Sequence, residues 1–463
     1  MKKYLLSAVS IFLMLTAGAQ WLPQNAGFTN DTLGFYEMSI PNKNTAWAVC
    51  FDIKCGLGCG RFIQDFTRTT DGGATWIPGK MGNDPSLDFS NISAIDENEA
   101  WVAMNKRFTG GGGLYHTLDG GLTWEKSNPA EIFDGNSFPN FVYFKDKNHG
   151  IAMGDPNGGY FEVYTTNNKG KKWKRVRQAD LPATLPNEYG FVCGYATVQN
   201  TVWFGTTRGR MYKSADFGKT WTVHIVDPAG KFINEIAFND DKLHGVAHLR
   251  NNLGQTFLFS TANGGVTWTD LGQPANWKSS RITSVPGTNA LISTGINGNP
   301  NFRGSAISYD NGTTWTEIER AVNKTVSRFY DAETGYACAA FVTGPPLRGG
   351  IFKSQIVFET NAAALVSNTT KPAIEPVKPT AGAMVKVYPS PANNVVNVSL
   401  NDALVNTNSA VSIVSMSGQV LETGRYKGSK LIRIDVSKLT PGLYILRLES
   451  NGQVINKEIS VVR

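Results

Sequence analysis

The 463-residue sequence predicts an all-β chain, a seven-bladed β-propeller followed by a small C-terminal β-sandwich. Three observations predict it. An eight-residue pattern recurs six times, with its tryptophans 48, 49, 48, 47 and 47 residues apart, and a fixed period of this length marks a repeat architecture. Between the repeats run short β-rich segments bounded by turn residues, with almost no helical periodicity. Beyond residue 360 the repeat stops, and a Pro/Ala/Thr-rich stretch leads into a second set of short strands.

Composition narrows the function. Charged residues are 17% and aromatics 11%, with 48 Gly, 25 Phe and 11 Trp, which excludes a disordered chain and a coiled coil. The net charge of +7 sits at the two ends. Residues 20–360 carry 31 basic and 31 acidic side chains, so no nucleic acid partner is expected.

The chain opens with Met1-Lys2-Lys3, an apolar run from Tyr4 to Thr16, and Ala17-Gly18-Ala19. A basic start, a short apolar stretch and a small-residue cleavage site read as a signal peptide over 1–19. The run is shorter than the roughly 20 residues a membrane span needs. No other stretch is long and apolar enough, so the mature chain is expected to lack a transmembrane segment. Five cysteines follow (Cys50, Cys55, Cys59, Cys193 and Cys338), and an odd count leaves at least one thiol free or paired elsewhere. Cys50, Cys55 and Cys59 lack a fourth ligand or a nearby His, so a local disulfide is expected there rather than zinc. No metal and no cofactor is expected anywhere in the chain.

The repeats occupy 20–360. Each contains a Ser or Thr, an Asp or Asn two residues on, a Gly, and a Trp. The acid or amide is Asp71, Asp119, Asn168, Asp216, Asn263 and Asp310; the tryptophan is Trp76, Trp124, Trp173, Trp221, Trp268 and Trp315. In a hairpin the Asp or Asn accepts bonds from turn N–H groups, the Gly supplies positive φ, and the Trp buries a large ring between neighbouring sheets. These acids are therefore read as structural, not as a catalytic row. Upstream lie runs such as Ala100-Trp101-Val-Ala103 and Gly113-Leu-Tyr-His-Thr117, completing a four-stranded unit. A seventh unit, Thr334–Cys338 with Gly350–Ser354, lacks the pattern; Trp21-Leu-Pro23 resembles Trp76-Ile-Pro78 and is expected to supply its missing outer strand. Closure of that kind suits a propeller, which protects its sheet edges.

The pattern resembles the Asp-box of bacterial neuraminidase-type (BNR) repeats. The whole of 20–360 most resembles the BNR proteins related to photosystem II stability and assembly factors, and that resemblance implies binding and assembly roles. Similar repeats occur in sialidases, xyloglucanases and sortilin-like receptors, so fold alone does not choose an activity. After a linker at 361–383, residues 384–463 alternate as a small sandwich. Tyr388-Pro389-Ser390-Pro391-Ala392, Met416-Ser417-Gly418-Gln419, Leu439-Thr440-Pro441-Gly442-Leu443-Tyr444 and the basic end at Arg463 resemble the type A sorting domain of the type IX secretion system (T9SS). The resemblance implies passage through that machinery in a Bacteroidetes-type bacterium, and a secreted or cell-surface protein.

Ligand sites in such folds are expected opposite the boxes, on the loops between second and third strands. Arg61, Arg107, Arg208, Arg250, Arg303 and Arg348 fall in or beside those loops in six blades. Guanidinium forks suit carboxylates, sulfates and phosphates, so an anionic glycan or a protein partner is the expected ligand. Trp277 lies between blades, where it either stacks on a sugar or packs. A glycoside hydrolase of sialidase-like or polysaccharide-degrading type is the alternative. Its candidate catalytic residues are Asp155, Glu188 and Tyr189, although no early Arg-Ile-Pro segment of the sialidase kind is present.

Overall fold

The computed structural model describes residues 20–29, 33–52, 61–106, 111–127, 132–133, 137–339, 350–358, 385–388, 392–400, 409–415, 420–427, 429–450 and 453–462. The side chains of residues 61, 62, 385, 386, 443, 449, 450, 453–456, 458 and 460 are likewise left undescribed. The chain divides into two compact units, Met1–Val366 and Ser367–Arg463.

Among the described residues the first unit forms seven four-stranded antiparallel sheets. Blade 1 comprises Leu33–Ser39, Ala46–Asp52, Arg61–Thr69 and Ile77–Lys80. Blades 2 to 6 repeat this order from inner strands Leu87–Ala94, Pro139–Phe144, Gly190–Val198, Phe232–Phe238 and Arg281–Ser284. Blade 7 takes three strands from Lys324–Phe329, Gly335–Ala339 and Ile351–Ser354, and its fourth from Trp21–Gln24. The expected closure is thus present: Trp21 stands opposite Ser354 and Gln24 opposite Ile351.

Each box builds its turn as the residue types require. The Thr69 hydroxyl donates to Asp71 Oδ1 at 2.8 Å and accepts the Gly73 N–H at 2.9 Å. Asp71 then accepts the Thr75 N–H at 2.9 Å and the Thr75 hydroxyl at 2.6 Å. The same four bonds surround Asp119, Asp216 and Asp310. Gly73 has φ +89°, and a Cβ there would sit 2.9 Å from the Tyr336 hydroxyl of blade 7. The glycine therefore serves both the turn and the fit of one blade on the next. Trp76 meets that same Tyr336 edge-on at 5.5 Å between ring centres.

Box turns share an end of the ring with the hairpins joining first and second strands. Gly72 N–H donates to Asn44 O, Gly120 to Asn98 O and Gly264 to Leu243 O. Loops between second and third strands, and the connections between blades, lie at the other end. Inner strands do not pair with one another through backbone ladders; side chains bridge them instead. Asn91 holds both the N–H and the carbonyl of Val142, Ser93 Oγ takes the Phe144 N–H, and the Thr325 hydroxyl reaches Phe35 O at 2.5 Å.

The second unit has a three-stranded sheet, Val385–Tyr388, Val395–Leu400 and Leu431–Asp435, and a four-stranded sheet ordered Val420–Tyr426, Ser409–Ser415, Gly442–Ser450, Gln453–Val461. Val396, Val398 and Ile432 of one sheet share a core with Val411, Ile413 and Leu446 of the other. Cys50, Cys193 and Cys338 are free and buried; Cys55 and Cys59 lie outside the described residues.

Hydrogen bonds from Thr75 lead the interactions that pull the Asp71 carboxyl down to about 2, and Thr123 does the same for Asp119. A carboxylate depressed in the folded state stabilises above its unfolded pKa of about 3.9, and that contribution is lost as pH falls. Asp71→Asn and Asp119→Asn variants should therefore lose less stability than the parent between about pH 4 and pH 2. Denaturant unfolding across that window reads the effect, and identical pH profiles would contradict it.

Candidate functional site

The structure gathers charge where the sequence reading did not place it, along the central channel. Five inner strands carry a bulge at one level, at Tyr36, Ser90, Asn140, Asn234 and Thr325. A bulge bends its strand and re-aims the side chains beside it. The next residue is Glu37 in blade 1 and Glu235 in blade 5, and both are buried. Arg328 of blade 7 grips Glu37 with two bonds of 2.9 Å. Arg281 of blade 6 donates to Glu235 at 2.6 Å. Cross contacts of 3.5 Å (Arg328–Glu235) and 3.9 Å (Arg281–Glu37) join the pairs into a neutral quartet. Beneath it opens a channel cavity of about 320 Å³, lined in part by Glu37, Tyr143, Tyr195, Glu235 and Arg328.

Burial pushes the Glu37 carboxyl up, but Arg328 and Arg281 outweigh it and hold Glu37 below the usual carboxylate range. Beside the quartet, burial drives His248 down to about 3, with Arg281 and Arg250 adding to the shift. That imidazole is neutral and faces the edge of Trp277 at 5.3 Å.

The expected arginine mouth is only partly on view. Arg107 and Arg348 lie outside the described residues. Arg61 begins the third strand of blade 1, and its side chain is not described. Arg208 donates to Pro186 O at 2.8 Å, and Arg303 to Arg320 O at 2.8 Å. Arg250 is exposed at the end of Gly245–Arg250. All three described side chains thus stand at the end opposite the boxes, two of them fastened to backbone carbonyls.

Two expected roles need correction. Trp277 is 5% exposed and packs among Ala237, Val246, Leu258 and Ile282, so its ring is not offered to a sugar. Glu188 is buried, and both its oxygens are spent. One accepts from Thr206 at 2.7 Å and Arg210 at 2.8 Å, the other from the Leu185 N–H at 2.8 Å and again from Arg210. Tyr189 is exposed beside it but does not face a free carboxylate of Glu188. Asp155 differs. Burial raises its carboxyl to about 6, against bonds from Asn140 and the Gly190 N–H that favour the charged form.

The comparisons with known proteins agree with this architecture. Residues 110–257 match the family model of photosynthesis system II assembly factor YCF48, and residues 386–462 match that of the secretion system C-terminal sorting domain. The chain carries a β-propeller that is similar over residues 110–257 to the YCF48 family, and a T9SS sorting domain over residues 386–462. That tail indicates export across the outer membrane, to the cell surface or the extracellular space. The chloroplast photosystem II stability/assembly factor HCF136 of rice is 29% identical over 125 residues, and that of Arabidopsis thaliana 26% over 126. Each alignment spans 26% of this chain and only 27% or 28% of the relative. The solved YCF48 of Cyanidioschyzon merolae superposes with a TM-score of 0.50 at 19% identity, covering 73% of this chain and 99% of its own. That likeness shows the fold.

Removing one member of the quartet strands a buried charge. Arg328→Met should destabilise the protein by about 3–5 kcal/mol, whereas Glu37→Leu with Arg328→Met should recover much of that loss. Equilibrium unfolding of the two variants checks this. A single-variant effect below about 1 kcal/mol would contradict the quartet.

Proposed function

We propose that this protein is exported in order to bind: a secreted or cell-surface propeller that serves as a binding or scaffold protein for an anionic glycan or a protein partner. In this reading residues 1–19 are a signal peptide, the host is a Bacteroidetes-type bacterium, and the sorting tail engages the type IX machinery. One observation carries the choice of binding over hydrolysis. Two-carboxylate glycoside hydrolysis needs an acid and a second carboxylate free to act on the sugar, and here Glu188, Glu37 and Glu235 are each committed to a protein cation. The exposed Arg250 and the guanidiniums of Arg208 and Arg303 would receive the anionic group at the end opposite the boxes. The photosystem II assembly factors that resemble the propeller lend the reading an analogy and no ligand.

One feature favours the hydrolase alternative. Asp155, raised to about 6, has the pKa of a general acid.

A panel of sialylated, sulfated, uronate and neutral glycans, scored for both binding and product release, separates the two. Binding to anionic glycans without turnover is expected, weakened about threefold to tenfold by Arg250→Ala. Repeated turnover abolished by Asp155→Asn would overturn the proposal in favour of the hydrolase. Silence across the panel would remove the glycan and leave the protein partner.

A further inference from the structure

Blade 3 departs from the other boxes at one position. The residue before the box tryptophan is Thr75, Thr123, Thr220, Thr267 and Thr314 in five blades, and Lys172 in blade 3. In all five the threonine hydroxyl bonds the box side chain, at 2.6 to 2.8 Å. Blade 3 keeps the Thr166 bonds of its box, but from the position before the tryptophan it keeps only the Lys172 N–H to Asn168, at 3.0 Å. It has given up a structural hydrogen bond and gained a cation.

The cation is not alone. Residues 169–177 read Lys-Gly-Lys-Lys-Trp-Lys-Arg-Val-Arg, within a propeller of zero net formal charge. Between blades 3 and 4, at the box end of the ring, lies a groove of about 750 Å³ whose lining includes Lys145, Lys172, Lys174 and Lys219. None of these four makes an ion pair with a described residue. Lys145 donates to Asn200 at 2.7 Å and lies 4.6 Å above the Phe217 ring. Nearby acids are already engaged: Asp216 is spent on its own box turn, and Asp180, beside Lys174, is held by Arg177. Lysines that only protected a sheet edge would not require the loss of the box threonine, nor a groove.

We propose that this groove binds a linear acidic polysaccharide, carboxylated or sulfated. The inference rests on the reading of an exported binding protein and places a ligand at the face opposite the arginines. Unpaired lysines supply charge-assisted bonds to the anionic groups. Asn167, Asn200 and Thr165 supply the neutral donors and acceptors that sugar hydroxyls need. A peptide fits less well. The aromatic floor, Trp173 and Phe217, is buried, so no apolar pocket is open to a side chain. The outer strand of blade 3 offers only the two-residue edge Lys174–Arg175.

The test titrates the purified protein with polygalacturonate and dextran sulfate, with neutral dextran and polyglutamate as comparisons. The groove variant is Lys172→Thr/Lys174→Gln/Lys219→Gln, in which the first substitution restores the hydroxyl of the other boxes and so protects the fold; a thermal melt confirms it. Expected are binding of at least one acidic polysaccharide, little binding of dextran or polyglutamate, and a loss of about tenfold or more in the groove variant. Arg250→Ala, at the opposite end of the ring, should weaken that binding less than the groove variant does. Equal binding of polyglutamate would overturn the glycan assignment in favour of an acidic peptide. Loss with Arg250→Ala but not in the groove variant would overturn the groove while sparing the binding reading. No binding by either acidic polysaccharide would overturn the inference, and the reading would then stand or fall on a protein partner.

Discussion

Ring closure at blade 7 is the constraint on which the rest depends. Four residues near one end of the first unit complete a sheet whose other strands lie 300 or more positions away. Trp21 does more than pair: its indole N–H donates to Ser305 of blade 6 at 2.9 Å, and Lys324 of blade 7 lies 5.6 Å from the ring centre. On the other side, Lys43 of blade 1 reaches Asp331 and Glu333 of blade 7. Contacts so distant in sequence pay loop entropy before they return any energy. The closing strand is therefore the most non-local feature of the fold.

Closure also makes the channel chemistry. Glu37, Glu235, Arg281 and Arg328 come from blades 1, 5, 6 and 7, and they meet only when the circle is complete. The quartet is a buried network whose worth lies in being whole, since a missing partner costs more than the pair contributes. It fixes the spacing of inner strands that share no backbone ladder. Both candidate ligand surfaces lie away from it, at opposite ends of the ring, so a rigid axis holds them in place.

The repeat was legible because every box residue has a task that few other residues can perform. Turn acids, positive-φ glycines and interblade tryptophans recur at a fixed distance, and the blade count and the closing strand follow from them. The quartet was not legible. Its four charges sit singly in four strands, and in one sequence each reads as an ordinary outward-facing residue. The bulges that re-aim Glu37 and Glu235 leave no signature of their own. Trp277 stayed open between stacking and packing for a related reason, since burial between blades depends on neighbours far along the chain. The lysines of the groove were hidden by averaging: a propeller with equal numbers of acids and bases still brings Lys145, Lys172, Lys174 and Lys219 together, none of them ion-paired to a described residue.

Amide hydrogen exchange followed by mass spectrometry tests the closed ring most directly. If Trp21–Gln24 is a working strand of blade 7, those of its amides that bond to Ile351–Ser354 (Pro23 has none) and the amides of Ile351–Ser354 themselves should exchange slowly and in step with the inner strands, through opening of the whole propeller. Rapid exchange at Trp21–Gln24, as in a frayed terminal segment, while the inner strands stay protected, would contradict closure and the account built on it.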